Sequence, residues 1–425
     1  MINSQKLDFL VSKEQALSWA SSFDQYTFLD SNSYSHGFGL EHFDWILSVS
    51  KINNCYSFNS DPIDFLEKHH SEVLFFHLSY DLKNSLDKIL FSDNPKAFNI
   101  PYANIQLSDF ILYSKDNSLY FVDINLNFSQ SDRFNILNSK ISKSEYKFDV
   151  NARWTKNEYK YAFNKCMDYL QRGDIYEVNL CQEFIINEFN VEPEQFFIDL
   201  NGQAKAPFSA CMKLGEYYIM SASPERFLNY ENERLLSQPI KGTRPRKWNK
   251  EDDLKQIEDL KTSIKETSEN KMIVDLVRND LSHYARKSSV VVDELCEIYS
   301  FPNVHQMIST ISCELQSNAD LWKAFLKAFP MGSMTGVPKI RCMEIIEELE
   351  SFSRESYSGT IGFYTPEFLD SNVLIRSVFY DKVKEIARCG VGGAITIRSE
   401  MEEEYEECLV KIRGIIQVLG GDLKL

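Results

Sequence analysis

Helix-patterned and strand-patterned segments come in blocks along this chain rather than alternating one by one. Strict alternation would point to a parallel sheet. Blocks favour an α+β fold, with antiparallel sheets and helices on their outer faces. AFNIPYANIQ, DFILYS and LYFVDINLNF read as strands separated by turn formers. The polar stretch 127–146 reads as a plain connection. KNEYKYAFNKCMDYLQRG puts Tyr159, Phe163, Met167 and Leu170 on one helical face, and Gly173 ends that helix. Strands follow in DIYEVNLCQEFIINEF, FSACMKL, YYIMSAS and RFLNYENERLLSQPI. After residue 250 helices are expected to dominate: one long or two short over 251–285, then DLWKAFLKAF, then PKIRCMEIIEELE with Pro338 at its first position. SGTIGFY, SNVLIRSVFYD and ARCGVGGAITI read as strands. The last helix runs from about 400 to 419, and Ser399 with Glu402 has capping-box spacing.

At 425 residues the chain is long enough for two or three domains of about 150 residues, or for one large layered unit. Residues 1–150 are aromatic-rich and Asn/Ser-rich, and the pattern changes near Trp154. We therefore divide it into 1–150, a subdomain of the same layered unit, and 151–425, which holds the motifs described next. Lys plus Arg is 46 and Asp plus Glu is 62, a formal net charge of −16. Such a surface repels nucleic acid, and an anionic substrate would need a locally positive pocket or a metal. No apolar run reaches the length of a membrane span, and MINSQKLDFLVSKEQ has no basic-then-apolar leader pattern. A cytoplasmic location is expected. The nine cysteines form no CxxC pair and read as buried, reduced thiols.

Three features carry chemistry. Glu266 and Glu269 are three apart on one expected helix, and Glu404 and Glu407 are three apart on another. Each pair shares a helical face, which suits a hard divalent cation but also an ordinary solvated surface. Lys411 follows Glu407 by four residues, either as a surface ion pair or as a cation at the mouth of a carboxylate site. In QPIKGTRPR, Lys241 precedes Gly242 and Thr243 and has Arg244 and Arg246 nearby. Neighbouring cations would lower the pKa of such a lysine and favour its nucleophilic form. In FPMGSMTGVPKIR, Gly332, Ser333, Thr335 and Gly336 precede a helix start, a backbone arrangement suited to an anion or to a plain turn.

The segments GDIYEVNLCQ, SASPERFL, PIKGTRPR, ENKMIVDLVRNDL, FPMGSMTGVPKIRCMEIIEELE, YSGTIGF and GGAITIRSEMEEEYEECLVK occur in the order found in the chorismate-utilising enzymes. The resemblance covers about residues 154–419, and FHLSYDL is similar to a short motif in the family's N-terminal part. It implies a layered α/β/β/α sandwich of two large antiparallel sheets with outer helices. The family includes the component I chains of anthranilate and aminodeoxychorismate synthases, isochorismate synthase and salicylate synthase. PIKGT, with Lys241, resembles the aminodeoxychorismate branch, since anthranilate synthases usually carry Ala there. The isochorismate and salicylate branches carry a water-activating Lys where this chain has Glu177. The aminotransferring branches commonly have Gln at that place, so Glu177 is a departure.

Carried over residue by residue, the resemblance implies that Glu269 and Glu407 hold Mg²⁺ while Glu266 and Glu404 hold metal-bound water. It makes Lys241 the nucleophile and Glu225 the general acid and base. It places Gly242, Thr243, Thr335, Tyr357, Arg376, Gly392 and Lys411 around the substrate, with His305 near the substrate ring. Ala394 stands where the family often has a third glycine. The implied reaction converts chorismate and ammonia to 4-amino-4-deoxychorismate, a precursor of 4-aminobenzoate and folate. The ammonia would come from a separate glutamine amidotransferase. Rival expectations are anthranilate synthase component I activity, isochorismate synthesis and a non-catalytic chorismate-binding relative.

Overall fold

The computed structural model describes residues 4–34, 42–87, 90–141 and 144–425. Its strands form two sheets, of thirteen and ten strands among the described residues. In the first, Gln25–Asp30, Phe208–Leu214, Tyr217–Ser223, Ser377–Asp381, Ile386–Thr396 and Glu177–Ile186 lie side by side in that order. The last two form a long antiparallel pair, from Glu177 opposite Thr396 to Ile186 opposite Ala387. In the second, Ile240–Pro245, Val304–Glu314, Arg234–Gln238, Arg226–Glu231, Phe368–Asn372, Thr360–Thr365 and Leu74–Leu78 follow one another. The pairings are antiparallel except for that of Gly420–Lys424 with Phe148–Ala152, among the described residues.

The sheets enclose one large apolar core that includes Phe28, Phe75, Phe76 and Phe184, all with no exposed surface. Helices cover the outer faces. Lys156–Arg172, Pro193–Ala204 and Met401–Leu419 lie on the first sheet, and Lys250–Thr262 and Ile264–Ser282 on the second. Strands buried on both faces read as continuous apolar runs; Tyr217–Ser223 is buried throughout. The fold is the α+β sandwich that the block pattern favours. The first 150 residues supply strands to both sheets: Gln25–Asp30 pairs with Phe208–Leu214, and Leu74–Leu78 with Thr360–Thr365.

Local departures have local causes. The stretch 127–146, described apart from residues 142–143, contains the helix Gln130–Asn138, which Ser129 and Asp132 start as a capping box. The box expected at the last helix does not form. Glu400 takes the cap position, while the Ser399 hydroxyl accepts the Thr396 N–H at 3.1 Å. Pro338 precedes the helix Lys339–Leu349 rather than opening it. The region expected to be helical contains two of the longest strands, Val291–Ser300 and Val304–Glu314. In VVDELCEIYS two register shifts interrupt the pairing, so the period-two pattern slips twice. No helix among the described residues is long and apolar enough to cross a membrane.

Candidate active site

Glu225 sits where the chain passes from one sheet to the other. Tyr217–Ser223 belongs to the first sheet and Arg226–Glu231 to the second. The turn is pinned by the Ser223 hydroxyl, which donates to the Val373 carbonyl at 2.6 Å, and by the Val373 N–H, which donates to the Glu225 carbonyl at 3.0 Å. Burial pushes the Glu225 carboxyl up to about 7; the Ser333 hydroxyl, Lys241 and Lys411 offset part of that rise. Ser333 faces the carboxyl without a hydrogen bond of regular geometry.

Lys241 lies on Ile240–Pro245, at one end of the second sheet, and is buried. Its ammonium donates to Glu177 Oε1 at 2.6 Å, and Glu177 belongs to the first sheet. The pair therefore bridges the two sheets. The lysine is not poised by neighbouring cations. Arg244 is turned to Glu266 at 3.2 Å and Arg246 to Asp253 at 2.9 Å. Burial alone would push the ammonium down. Glu177, with Glu269 and Glu225 nearby, outweighs burial and holds it above its ordinary value. The expectation of a depressed lysine is thus corrected: in the free protein the surrounding carboxylates favour the charged form.

Gly242 has φ +87, and a Cβ there would come within 2.9 Å of both Glu266 Oε2 and Leu260 Cδ1. Glycine adopts that left-handed backbone without strain, and any Cβ there would make the Glu266 and Leu260 side chains shift. The helix Ile264–Ser282 carries Glu266 and Glu269, and the helix Met401–Leu419 carries Glu404, Glu407 and Lys411. Lys265 donates to Glu404 at 2.7 Å. Lys411 donates both to Glu407 at 2.6 Å and to the Gly392 carbonyl at 2.6 Å. Burial pushes the Glu269 carboxyl up to about 8, with Lys241 opposing. For Glu407 burial acts upward, but Lys411 holds the carboxyl below its ordinary value.

The fit of a divalent cation can be tested on these donors. All four are carboxylates, the hard oxygens that Mg²⁺ takes. Glu269 Oε1 is buried with no hydrogen-bond partner. Glu269 and Glu407 share Lys241 and Lys265 as electrostatic neighbours. Three of the four carboxylates already face a basic side chain, and no three His, Cys, Asp or Glu groups converge on a point among the described residues. Mg²⁺ commonly takes only one or two protein carboxylates and keeps waters or substrate oxygens in its other positions. The donor set fits on those terms.

The remaining residues divide. Arg376, Lys411 and Thr243 line an open cleft of about 470 Å³, together with Pro224 and Gln306. Arg376 donates to the Lys411 carbonyl at 3.0 Å. The Tyr357 ring packs beneath the glycine strand, its hydroxyl 3.1 Å from where a Cβ on Gly392 would stand. Ala394 pairs with Asn179 within the Glu177–Ile186 ladder. Thr335 is fully buried, and its hydroxyl is turned onto the Met331 and Gly332 carbonyls of its own loop. His305 is a correction. It is fully buried and bonded to Ser300 and to Asp253 Oδ1, whereas the next residue, Gln306, lines the cleft. Successive strand residues face opposite ways, so one position decides which of them meets a ligand.

Sequence reasoning missed Asn179, Gln306 and Arg354. Asn179 follows Glu177 by two on a strand and so shares its face; its Oδ1 is buried without a partner. Buried Arg354 ties three segments together. It bonds Glu350 through two nitrogens, at 2.8 and 2.6 Å, and donates to the Met334 and Asn179 carbonyls at 2.8 Å each.

Residues 26–417 match the family described as chorismate binding enzyme. Aminodeoxychorismate synthase component 1 of Escherichia coli (strain K12) is 40% identical over 258 residues, 60% of this chain and 56% of that protein. Anthranilate synthase component 1 of Thermus thermophilus is 33% identical over 259 residues, 61% of this chain and 55% of that one. The match thus spans little more than half the length of these relatives. Anthranilate synthase component I from Streptococcus pneumoniae TIGR4 superposes with a TM-score of 0.74 at 21% identity, over 91% of each chain. The menaquinone-specific isochorismate synthase of Escherichia coli gives a TM-score of 0.77 at 16% identity, over 99% of this chain and 94% of that one. At these identities the solved structures speak to the fold.

Proposed function

The chain belongs to the family of chorismate binding enzymes, and from that premise we propose that it converts chorismate and ammonia to 4-amino-4-deoxychorismate, with a glutamine amidotransferase as the ammonia source. The observation that carries this reading is Lys241, a buried amine in the PIKGT segment between the two sheets, with Glu225 and Glu177 at hand. Glu177 also stands where a water-activating lysine would be needed for isochorismate synthesis.

Lys241 is the nucleophile at ring carbon C2. As its nitrogen bonds there, the ring double bonds shift and the C4–O bond breaks. Glu225, raised to about 7 and so partly protonated at neutral pH, gives its proton to the departing hydroxyl, which leaves as water. Ammonia then bonds to C4, the ring bonds shift back, and the C2–N bond to lysine breaks. Arg376 and Lys411 at the cleft supply positive charge for the substrate carboxylates. Glu269 and Glu407 would hold Mg²⁺, with Glu266 and Glu404 behind them; when bound it would neutralise carboxylate charge and withdraw electron density from the ring.

The test is incubation of the purified chain with chorismate, Mg²⁺ and an ammonium salt, read by mass spectrometry. Aminodeoxychorismate, lost on chelation with EDTA and reduced at least about 10³-fold in Lys241→Ala, is the expected result. Anthranilate with release of pyruvate would replace this reading with the activity named for the Thermus relative. Chorismate returned untouched, even with an amidotransferase supplied, would leave only binding.

A further inference from the structure

The proposed chemistry leaves one proton without an assigned destination. Lys241 stands as an ammonium, and an ammonium has no lone pair to form the bond at C2. Its hydrogen bond, among the described residues, is the one to Glu177 Oε1 at 2.6 Å. That is within proton-transfer reach. Glu177 is 1% exposed, so water does not compete for its carboxylate. Its second oxygen, Oε2, is buried with no partner. The carboxylate is therefore not committed elsewhere. Its backbone is fixed on both sides: Glu177 pairs with Thr396 on one strand and Val337 on another, and its carbonyl accepts the Cys342 thiol at 3.1 Å. The other charged groups near Lys241 are Glu225, Glu269 and Glu407, and Glu407 is already paired with Lys411 at 2.6 Å. Glu225 is already assigned to deliver a proton to the leaving hydroxyl. Glu269 is assigned to the cation.

We propose that Glu177 is the catalytic base for the lysine nucleophile. It takes the proton from Lys241 as the amine attacks and returns it when the amine is released. The inference rests on the proposed reaction and deepens it. The steps balance. The ammonium gives H⁺ to Glu177 Oε1, and the freed lone pair bonds to C2. The C4 oxygen leaves with its electron pair and the Glu225 proton, as water. Ammonia bonds to C4, and the C2–N electron pair returns to lysine as a neutral amine. The proton on Glu177 then restores the ammonium. The new C4 ammonium re-protonates Glu225.

The test compares wild type with Glu177→Gln, which keeps shape and removes basicity, and with Glu177→Asp, which keeps the base. In the Gln variant neutral lysine must form by loss of a proton to solvent. The ratio of wild-type to variant kcat/KM should then fall about tenfold for each unit of rising pH, until Lys241 is itself neutral. The Asp variant should be slower than wild type by a factor that does not change with pH. A pH-independent ratio for Gln, or the same slope for Gln and Asp, overturns the inference. A second readout needs no turnover: acetic anhydride labelling of Lys241 without chorismate, quantified by peptide mass spectrometry at pH 8. Loss of the paired carboxylate should raise labelling at least severalfold in the Gln variant, and unchanged labelling counts against the pairing. Matching thermal midpoints confirm that each variant is folded. If wild type makes no aminodeoxychorismate, the functional reading fails; if it does and the ratio is flat, only the role of Glu177 fails.

Discussion

Glu225 gives the clearest case at the scale of a residue. A buried carboxyl with few compensating bonds favours its neutral form, and burial here raises it to about 7. As the acid in the reaction it works protonated, so activity should fall as pH rises through about 7. Glu225→Gln should lower kcat by about 10²–10⁴-fold and remove that alkaline limb from the pH–rate profile. Stability follows the same sign. Between its ordinary value and about 7 the folded protein holds a proton that the unfolded chain has released, so ionisation destabilises the fold as pH rises across that window. The Gln variant should gain thermal stability over wild type from pH 5 to pH 8, with no further gain above. A difference that does not change with pH would place the carboxyl in an ordinary polar setting.

At the scale of elements, the loop Gly332–Gly336 is held against the strand Glu177–Ile186. Gly336 has φ +141, and a Cβ there would stand 2.2 Å from the Glu177 carbonyl. Gly336→Ala should cost about 3 kcal/mol or more, read as a lowered urea midpoint, from backbone strain and overpacking together. Because Glu177 moves with that carbonyl, the lysine labelling pattern should change as well. Much at this scale was legible in the residues. The strand Glu177–Ile186, the helix Lys156–Arg172 with its left-handed Gly173, and the two carboxylate-bearing helices follow from apolar period and end signals. The pair Val291–Ser300 and Val304–Glu314 did not, because bulges broke the period and acidic residues diluted it. His305 was misread for a related reason. A strand residue's identity says nothing of which face it takes, and the neighbouring Gln306 holds the cleft-facing place. The poise of Lys241 was also misread, since Arg244 and Arg246 lie near it in sequence but pair with Glu266 and Asp253 in space.

For the whole molecule the decisive fact is that strands of the first 150 residues complete both sheets. A chain of residues 151–425 would expose the open edges of Phe208–Leu214 and Thr360–Thr365, where Gln25–Asp30 and Leu74–Leu78 now pair. Such edges recruit other strands. We expect that fragment to be insoluble or molten, and the full chain to unfold in one transition by both circular dichroism and tryptophan fluorescence. A soluble fragment with native-like near-ultraviolet signal would contradict this. The N-terminal FHLSYDL segment serves the same integration. The Tyr80 ring lies 4.8 Å from the Arg354 guanidinium, and Lys83, the residue after the segment, pairs with Glu347 at 2.7 Å.

Arg354 has a consequence for how a family of this kind can diversify. Two of its acceptors, the oxygens of Met334 and Asn179, are main-chain carbonyls. Every amino acid offers that same carbonyl, so the grip does not depend on which side chains the loop and the strand carry. Mutation can exchange the groups that face the substrate while the guanidinium keeps both backbones where they were. Glu350 is the charged partner, and it must stay acidic because it bonds two nitrogens of the buried cation. The clamp thus separates what selection must preserve from what it is free to rewrite, and catalytic variety can accumulate on a path that does not move.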